Sequence, residues 1–319
     1  MKKNDVIIST VVTVYNNFDL MSNLLHSFNN QFDKEFEVIF VDDCSTDDSL
    51  KKLKSKSKNF KFKYKILKNV SNLGPGVSRN NGISKCSGKY ITFIDADDYI
   101  PDNFFDRILF VIKNNSFDCL IFDYYIEENY KKRYVNSLPI NSNDFVSSDA
   151  MALSNGMCWG KIYVKDFIIS NNILFPDLMR SEDLAFVKIY LSKCKNIKYL
   201  HEALYYYVQN SNSIMHNSKT LDVSNNEFAF NYICKYVKKS ASLEMIFIRE
   251  YLYLIVQIMS MKNVSNHDIK EFINRCYSIY PFWYNNAYIK YQPAYLRFIL
   301  LLIRFRFIFV IKLIFKLKK

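Results

Sequence analysis

Three carboxylates, Asp95, Asp97 and Asp98, follow directly after the apolar run at residues 90–94. A run of this length and composition predicts a strand in the middle of a parallel sheet, buried on both faces. Open α/β sheets bind their ligands just past the carboxyl ends of such strands. Crowded carboxylates repel one another unless a cation joins them, and hard oxygen ligands favour Mg²⁺ or Mn²⁺. The alternative is a solvated acidic turn that leads into a helix.

Polar side chains also lie at the ends of other elements that the sequence predicts. Thr13 and Tyr15 lie at the end of the first predicted strand, and Asp42 and Asp43 follow the second. Asn72 and Arg79 precede the fourth. Because the carboxyl ends of parallel strands meet at one edge of a sheet, we expect these side chains to gather there. That edge would offer an aromatic ring, acceptors for the N–H of a base, an arginine for phosphate and carboxylates for a metal. These are the parts of a nucleotide diphosphate site.

Strands and helices alternate along the first half of the chain. Apolar and β-branched runs predict the strands, and apolar residues at helical spacing predict the helices between them. The predicted strands are residues 6–14, 36–41, 61–68, 90–94 and 117–124, and the predicted helices are 18–32, 77–86, 102–113 and a segment that begins at Ser181. This alternation predicts an α/β fold with a right-handed, mostly parallel central sheet flanked by helices.

The second half of the chain departs from this alternation. Residues 126–149 are rich in charged residues, Asn and Ser, which indicates a surface excursion. A strand pair is predicted within residues 197–208, and helical patterning begins after residue 219. We therefore expect a ligand-binding α/β domain at residues 1–217, a helical region at 218–292 and a distinct basic tail at 293–319.

The composition is that of a folded protein without a disulfide frame. Of the 319 residues, 50% are hydrophobic and 17% aromatic, which excludes a disordered chain. The seven Cys residues have no CxxC spacing or His partners, so we expect reduced thiols in a cytosolic setting. The N-terminus is predicted to form the first strand and not a signal peptide, because Asp5 interrupts it and no cleavage site follows. No stretch approaches the roughly 18 uncharged apolar residues of a transmembrane helix.

The positive charge is concentrated at the end of the chain. Residues 290–319 contain eight basic residues and no acid, in a chain whose formal net charge is +12, so a nucleic-acid-binding face across the fold is not expected. Gaps of seven, eight, four and three residues predict one basic helical face, formed by Arg297, Arg304, Lys312, Lys316 and Lys319. Such a helix fits the surface of an anionic membrane. The alternative is a helix packed on the body or on another subunit of a homo-oligomer.

Six segments of the chain form an ordered set: TVYNN, VDDCSTDDS, NLGPGVSRNNGI, GKYITFIDADDY, WGKIY and SEDLAF. Together they extend over residues 6–213, and their order and spacing resemble the signatures of the family 2 glycosyltransferases. The resemblance implies a GT-A fold, which is a Rossmann-like α/β fold, with a catalytic domain at residues 1–217. The helical region that follows matches no motif.

The resemblance assigns roles in nucleotide binding. It implies that Thr13 and Tyr15 hold the uracil ring, with Tyr15 stacked on it. It also implies that Asp43 accepts the uracil N–H, with Asp42 as its close neighbour. The two positions near the ribose and the diphosphate are Asn72 and Arg79. The alternatives are a helix N-cap for either aspartate and a surface ion pair for the arginine.

The resemblance also assigns the chemistry. Asp95-Ala96-Asp97 fits the DxD motif, in which Asp97 would bind Mn²⁺ or Mg²⁺ directly while Asp95 contacts the ribose or the water shell of the metal. Asp183 matches the general base that takes the proton of the acceptor hydroxyl, and Glu182 is the fallback base. A single displacement would invert the anomeric centre. The alternative for Asp183 is charge complementarity at a helix N-terminus.

Two further segments match the family less specifically. Trp159 and Lys161 belong to the acceptor side, where Trp159 would stack on a sugar face, although a tryptophan buried in the core is the alternative. Ser213 resembles a residue of the loop that closes over the diphosphate.

The resemblance implies an inverting, metal-dependent transferase that moves a hexose or N-acetylhexosamine from a UDP-sugar to a glycan hydroxyl. With the basic tail, it suggests a lipid-linked acceptor at the inner face of a bacterial membrane, as in capsule or lipopolysaccharide synthesis, and a cytoplasmic, peripherally attached protein. A nucleotidyltransferase would show a glycine- and lysine-rich phosphate signature after the first strand, and none is present. An inactive, membrane-associated binding protein on the same fold is the other alternative, although the DxD and base acids are all in place.

Overall fold

The computed structural model describes residues 6–140, 145–209, 223–252 and 265–316. These residues divide into two compact units. The first falls within Met1–Ser137 and Asn155–His216, and the second within Leu138–Ser154 and Asn217–Lys319. The segment 138–154, which the sequence analysis included in the α/β domain, therefore groups with the C-terminal helices. Ser213 lies outside the described residues.

The first unit is built on one sheet, in which the described residues form eight strands. In chain order the strands are β1 (Ile8–Val14), β2 (Phe36–Asp42), β3 (Lys63–Lys68), β4 (Tyr90–Phe93), β5 (Cys119–Glu128), β6 (Lys131–Val135), β7 (Lys161–Val164) and β8 (Ile197–Gln209). Their spatial order is β3-β2-β1-β4-β7-β5-β6, and β8 also pairs with β5. The order reverses direction at β1, so that β2 and β4 lie on opposite sides of it, and such a switch point is where open α/β sheets bind ligands.

The sheet is parallel in its first half and mixed in its second. β1 pairs in parallel with β2 and with β4, and β2 pairs in parallel with β3. β7 runs antiparallel to both β4 and β5, and β8 runs parallel to β5. The predicted α/β class is therefore confirmed, and the strands that carry the predicted nucleotide residues are the parallel ones.

Two parts of the sheet differ from the prediction. Residues 126–135 were expected to lie in a surface excursion, but β5 continues to Glu128 and forms an antiparallel hairpin with β6. The turn residues Asn129 and Tyr130 have φ of 49° and 61°, as a two-residue hairpin turn requires. The charged residues that suggested a loop are exposed on β6, as is typical of edge strands. The strand pair expected at 197–208 is one strand, β8.

The helices follow the alternation that the sequence predicts. In chain order the α-helices are α1 (Ser22–Asn30), α2 (Ser49–Lys56), α3 (Gly74–Lys85), α4 (Phe104–Asn114), α5 (Ser147–Leu153), α6 (Lys165–Ser170), α7 (Glu182–Lys193), α8 (Val223–Tyr236), α9 (Ala241–Phe247), α10 (Asn266–Ile279), α11 (Ala294–Arg304) and α12 (Ile308–Lys316). α3 begins three residues before its predicted start, because Pro75 fits the first turn of a helix, where its missing N–H needs no partner. In the core, Phe36 of β2 stacks on Phe105 of α4 with ring centroids 3.8 Å apart.

The close approach of α3 to the sheet depends on Gly82. A Cβ built at Gly82 would lie 2.5 Å from Cγ1 of Val11 on β1 and 3.3 Å from Cγ2 of Val41 on β2. Only a residue without a side chain fits this distance. Because Arg79 precedes Gly82 by about one helical turn, this contact also sets how far Arg79 lies from the strand ends.

The second unit contains α5 and α8–α12. The last carbonyl groups of a helix have no partner within the helix. At the end of α5, the guanidinium of Arg249 donates to the carbonyl oxygens of Leu153 at 2.9 Å and Ser154 at 2.8 Å. None of the helices in the described part of the chain has the length and apolar character that crossing a membrane requires.

The basic tail forms two helices where one was predicted. α11 ends at Arg304 and α12 begins at Ile308, and between them Arg306 has φ of 58°, which a helix cannot accommodate. The prediction of one continuous basic helix is therefore wrong between Arg297 and Lys316, and Lys319 lies outside the described residues. Sequence periodicity did not reveal the break, because it lies within an unbroken run of apolar and basic residues that contains no Gly or Pro.

Gly82→Ala is expected to lower the free energy of unfolding. The methyl group would overlap Val11 in a packed interface at a cost of about 1–3 kcal/mol, and the better helix propensity of Ala returns only about 1 kcal/mol. Urea denaturation measures the difference, with the exposed Ser84→Ala on the same helix as a control expected to change stability by less than about 0.5 kcal/mol. Because Val11→Ala removes the overlapping methyl groups, Gly82→Ala should cost less in that background. Additive costs would contradict the contact.

Candidate functional site

One arginine of α3 lies among three carboxylates from two distant parts of the chain. Arg79 is 6% exposed. Its Nη1 donates to Glu182 Oε1 at 2.8 Å and to Asp183 Oδ1 at 2.7 Å, and its Nη2 donates to Asp95 Oδ1 at 3.1 Å. Burial by itself would lower the pKa of Arg79, but the three negative charges hold it well above its ordinary value. Arg79 is therefore the buried centre of an ion-pair network and not a surface ion pair.

The network requires α3 and the start of α7 to lie close together. A Cβ at Gly76 would lie 2.7 Å from the Pro176 carbonyl oxygen and 3.2 Å from Glu182 Cγ, so a larger residue would force the two segments apart. The other oxygen of Asp183, Oδ2, accepts the backbone N–H of Cys158 at 3.1 Å. Asp183 is thus held in one orientation by a guanidinium and a backbone amide, in the first turn of α7, where the helix dipole favours an acid.

The two acids of α7 differ in their surroundings. Glu182 is 7% exposed and packs towards Gly76, and burial followed by repulsion from Asp183 raises the pKa of Glu182, although Arg79 opposes the shift. Asp183 is somewhat more exposed than Glu182. Of the two predicted base candidates, Asp183 is therefore the one with more access to solvent.

The acids that follow β4 have three different environments. Burial, opposed by Arg79 and reinforced by Asp183 and Asp97, raises the pKa of Asp95 to about 6. Burial also raises the pKa of Asp97, which forms no ion pair with any described residue. Asp98 is buried; it accepts the hydroxyl of Tyr205 and, at 2.8 Å, the backbone N–H of Val208. Asp98 therefore fastens the acidic turn to β8, while Asp97 remains available.

The middle residue of the predicted DxD motif contributes no polar atom. The side chain of Ala96 is 2% exposed and packs in the core of the first unit. This buried methyl group anchors the turn between Asp95 and Asp97. The carboxylates on either side of it differ, because Asp95 pairs with Arg79 and Asp97 does not.

The acids fit a divalent cation that shares its ligands with a substrate. Among the described residues there is no group of three or more His, Cys, Asp or Glu side chains arranged to hold a metal. Mg²⁺ and similar ions in nucleotide sites are usually bound by one or two carboxylates together with substrate phosphates and waters, so a full protein cage is not required. Asp97, a hard oxygen ligand without an ion-pair partner in the described chain, fits this arrangement, with Asp95 beside it.

The ends of β1 and β2 form the second half of the site. Tyr15 is 42% exposed, so its ring is free to stack on a planar ligand. Thr13, two residues earlier in the chain, is half-buried. Asn16, between Tyr15 and the next turn, has φ of 51°, and its Oδ1 accepts the backbone N–H of Thr46 at 2.8 Å. Asn16 thus joins the two strand ends. The sequence analysis assigned it no role, although it lies in the TVYNN segment.

The two aspartates that follow β2 are engaged differently. Asp43 is 4% exposed and accepts the N–H of Leu73 at 2.8 Å and of Gly74 at 2.8 Å, so it holds the loop before α3. Its Oδ1 also accepts the side-chain amide of Asn69 at 2.8 Å. Asp42 is buried, and its Oδ1 has no hydrogen-bond partner among the described residues.

Asn72, which is predicted to lie near the ribose, has a structural role in the loop before α3. Asn72 is exposed, and its side chain accepts the N–H of Gly74 at 3.2 Å, which supports the positive φ of 81° at Gly74. This turn leads directly into α3. Together with Asp43, it fixes where α3 begins and so where Arg79 stands.

The predicted acceptor-side residues are buried. Trp159 is 2% exposed and stacks on Tyr205 with ring centroids 4.5 Å apart, so the core alternative is correct and Trp159 cannot present a face to a sugar. Lys161 is 1% exposed, and its ammonium group donates to Asn155 Oδ1 at 2.8 Å and to the Met157 carbonyl oxygen at 2.9 Å. Lys161 stabilises the loop before β7 and does not contact a ligand in this arrangement.

Comparisons with known proteins identify a family for part of the chain. The family model described as Glycosyl transferase family 2 matches residues 9–166. Poly(ribitol-phosphate) beta-glucosyltransferase of Bacillus spizizenii is 30% identical over 210 residues, which make up 63% of this chain and 32% of that protein. The chain spans about a third of the length of the curated relatives that match it first.

Solved structures share the fold. The structure of Staphylococcus aureus TarS 1–349 in complex with UDP-GlcNAc superposes with a TM-score of 0.69 at 22% identity, covering 96% of this chain and 89% of that chain. The mannosyltransferase PcManGT from Pyrobaculum calidifontis, in complex with GDP-Man and Mn²⁺, superposes with a TM-score of 0.57 at 12% identity, covering 86% and 81%. Residues 9–166 therefore form a family 2 glycosyltransferase domain, and the fold is the GT-A fold.

Proposed function

We propose that this chain is an inverting glycosyltransferase that moves a hexose or N-acetylhexosamine from a UDP-sugar to a glycan hydroxyl. The observation that carries the proposal is the convergence of Asp95, Glu182 and Asp183 on the buried Arg79, with the unpaired Asp97 two residues from Asp95. A set of acids with one uncommitted carboxylate, at the switch point of a parallel sheet, supports a site for a nucleotide diphosphate and a cation. The complex of TarS with UDP-GlcNAc supports UDP as the nucleotide.

The donor is proposed to lie along the ends of β1, β2 and β4. The exposed ring of Tyr15 would stack on uracil beside Thr13. Asp43 would accept the base N–H in addition to the three N–H groups that it already accepts, because a carboxylate has about four lone-pair sites. Asp42 is its close neighbour and is buried at the end of β2. The positions proposed to face the ribose and diphosphate are Asn72, Arg79 and Asp95, and Ser213 is retained as a loop candidate.

The base is proposed to be Asp183. It would accept the proton of the acceptor hydroxyl as that oxygen attacks the anomeric carbon and the bond from that carbon to the diphosphate breaks. Because the attack comes from the side opposite the leaving group, one displacement inverts the anomeric centre. Arg79 and the Cys158 amide hold the carboxylate in place, so little reorganisation is needed before the reaction. Glu182 is the secondary candidate.

A divalent cation, Mn²⁺ or Mg²⁺, is proposed to bind with Asp97 as its direct protein ligand and Asp95 beside it. When bound, such an ion neutralises charge that builds up on the departing nucleotide diphosphate. The Mn²⁺ complex of the structurally similar PcManGT supports this cofactor class.

The acceptor is proposed to be a growing surface polysaccharide of a bacterium. The basic tail favours a lipid-linked glycan of the capsule or lipopolysaccharide type, and the relatives named for poly(ribitol-phosphate) add a phosphate-rich polymer as a second class. The alternative of an inactive binding protein on this fold is disfavoured, because the base and the DxD acids are all present and because Asp95 and Asp183 meet at Arg79.

Titration calorimetry with UDP tests the donor site. Wild-type protein should bind UDP more tightly with Mn²⁺ than without it, and Asp97→Asn should lose at least tenfold in affinity, about 1.4 kcal/mol, only when the metal is present. The exposed Asp102→Asn is the matched control and should bind like wild type. If wild-type protein binds no UDP under any metal condition, the assignment of Thr13, Tyr15 and Asp43 to uracil is wrong.

The C-terminal tail is proposed to attach the protein to the inner face of the membrane. α11 buries Ile299, Leu300 and Ile303 on one side. On the other side it exposes an apolar stripe that continues beyond the helix end: Tyr295, Phe298, Leu301 and Phe305. Arg297 and Arg304 lie along the edge of this stripe, which is the arrangement of helices that rest in the head-group region of anionic lipids.

Vesicle sedimentation tests this attachment. The protein should sediment with vesicles containing phosphatidylglycerol, bind less as salt is raised, and bind pure phosphatidylcholine weakly. Phe298→Ser combined with Leu301→Ser should abolish sedimentation, whereas Phe32→Ser, which removes an even more exposed aromatic residue from the first unit, should leave it unchanged. Binding that is equal for both lipid compositions, or a change of oligomeric state without lipid binding, would contradict the proposal.

A further inference from the structure

Tyr207 lies on β8, two residues after Tyr205, whose hydroxyl contacts the acidic turn. It is half-buried, and its ring stacks on Trp159 with centroids 5.5 Å apart and planes 21° apart. Because side chains alternate along a strand, Tyr205 and Tyr207 lie on the same face of β8. Tyr205 stacks on the same Trp159 ring but is 1% exposed. Of the three rings, Tyr207 is therefore the one that meets solvent.

The neighbours of Tyr207 along the strand bind the acidic turn directly. The Tyr205 hydroxyl donates to Asp98 and accepts the N–H of Asp95 at 3.2 Å. The backbone N–H of Val208 donates to Asp98 Oδ1 at 2.8 Å. Tyr207 therefore lies along β8 between Tyr205 and Val208, which both contact this turn. This places its ring near the carboxylates that are proposed to hold the diphosphate.

The hydroxyl of Tyr207 remains a hydrogen-bond donor at neutral pH. Burial, and then the charges of Asp98, Asp97 and Asp95, raise its pKa above the ordinary tyrosine value. The side chain therefore offers an apolar ring and a hydroxyl at one position. Sugar rings present the complementary pattern, because they have apolar C–H faces and hydroxyl groups at their edges.

We propose that Tyr207 forms the wall of the subsite for the hexose ring of the nucleotide-sugar donor. The inference rests on the proposed function. The anomeric carbon of the donor is one C–O bond from the β-phosphate, so a phosphate held at Asp97 puts the hexose next to the acidic turn. Trp159 supports the Tyr207 ring from within the core and does not itself contact the sugar.

The readout is the ratio of the dissociation constants of UDP-sugar and UDP, measured by titration calorimetry with Mn²⁺. The probes are UDP, UDP-GlcNAc, UDP-glucose and UDP-galactose, and the sugar nucleotide that wild-type protein binds most tightly is used throughout. Tyr207→Leu should raise the ratio at least fivefold while UDP affinity changes less than twofold. Tyr207→Phe keeps the ring and should raise the ratio less than Tyr207→Leu does.

The matched control is Tyr206→Leu. Tyr206 is the next residue on β8 and faces the opposite side, where it stacks on Tyr99 with centroids 4.4 Å apart. The ratio in Tyr206→Leu should equal that of wild type. An unchanged ratio in Tyr207→Leu, or an equal loss of UDP and UDP-sugar affinity, would overturn the inference, whereas failure of wild-type protein to bind UDP would overturn the proposed function itself.

Discussion

The site depends on one constraint, which is that three carboxylates in a partly buried space require a cation among them. Asp95, Glu182 and Asp183 come from two distant segments, and Arg79 contacts all of them. Carboxylates without such a partner would be expensive to bury, because desolvation and mutual repulsion add. The rest of the first unit can be understood as the structure that brings Arg79 to this place. Gly82 lets α3 lie against β1, and Gly76 lets it approach Glu182.

A second set of contacts fixes the acidic turn and leaves Asp97 without an ion pair among the described residues. Tyr205 and Val208 of β8 donate hydrogen bonds to Asp98, and the side chain of Ala96 is buried in the core. These contacts hold the turn against the sheet. Asp95 pairs with Arg79 and Asp98 is hydrogen-bonded to β8, whereas Asp97 has neither an ion pair nor a hydrogen bond to another of the described residues. The four consecutive residues therefore have different roles. Asp98 anchors the turn, Ala96 packs in the core, Asp95 completes the ion-pair network and Asp97 is available to a cation.

The sequence was informative where chemistry and local structure coincide. An apolar run ending in acids predicted both β4 and the site at its end, and the strand ends that carry Tyr15 and Asp43 were predicted in the same way. Prediction failed where the deciding contact is distant in sequence. Nothing near Arg79 indicates that two of its three partners lie beyond residue 180. Likewise, nothing near Trp159 shows that it packs against β8, and nothing near Lys161 shows that a loop carbonyl accepts its ammonium group. The charged β6 resembled a loop because edge strands and loops share a polar composition.

The measurement that tests this account most directly is the stability of Arg79→Met. Removing the cation leaves three carboxylates with partly buried charge, so the free energy of unfolding at pH 7.5 should fall by about 3–5 kcal/mol, and adding Glu182→Gln should recover part of the loss. Arg107→Met, which breaks the pair of a much more exposed arginine with Glu202, should cost no more than about 1 kcal/mol. Equal losses for the two arginines, or no recovery in the double variant, would contradict the central position given to Arg79.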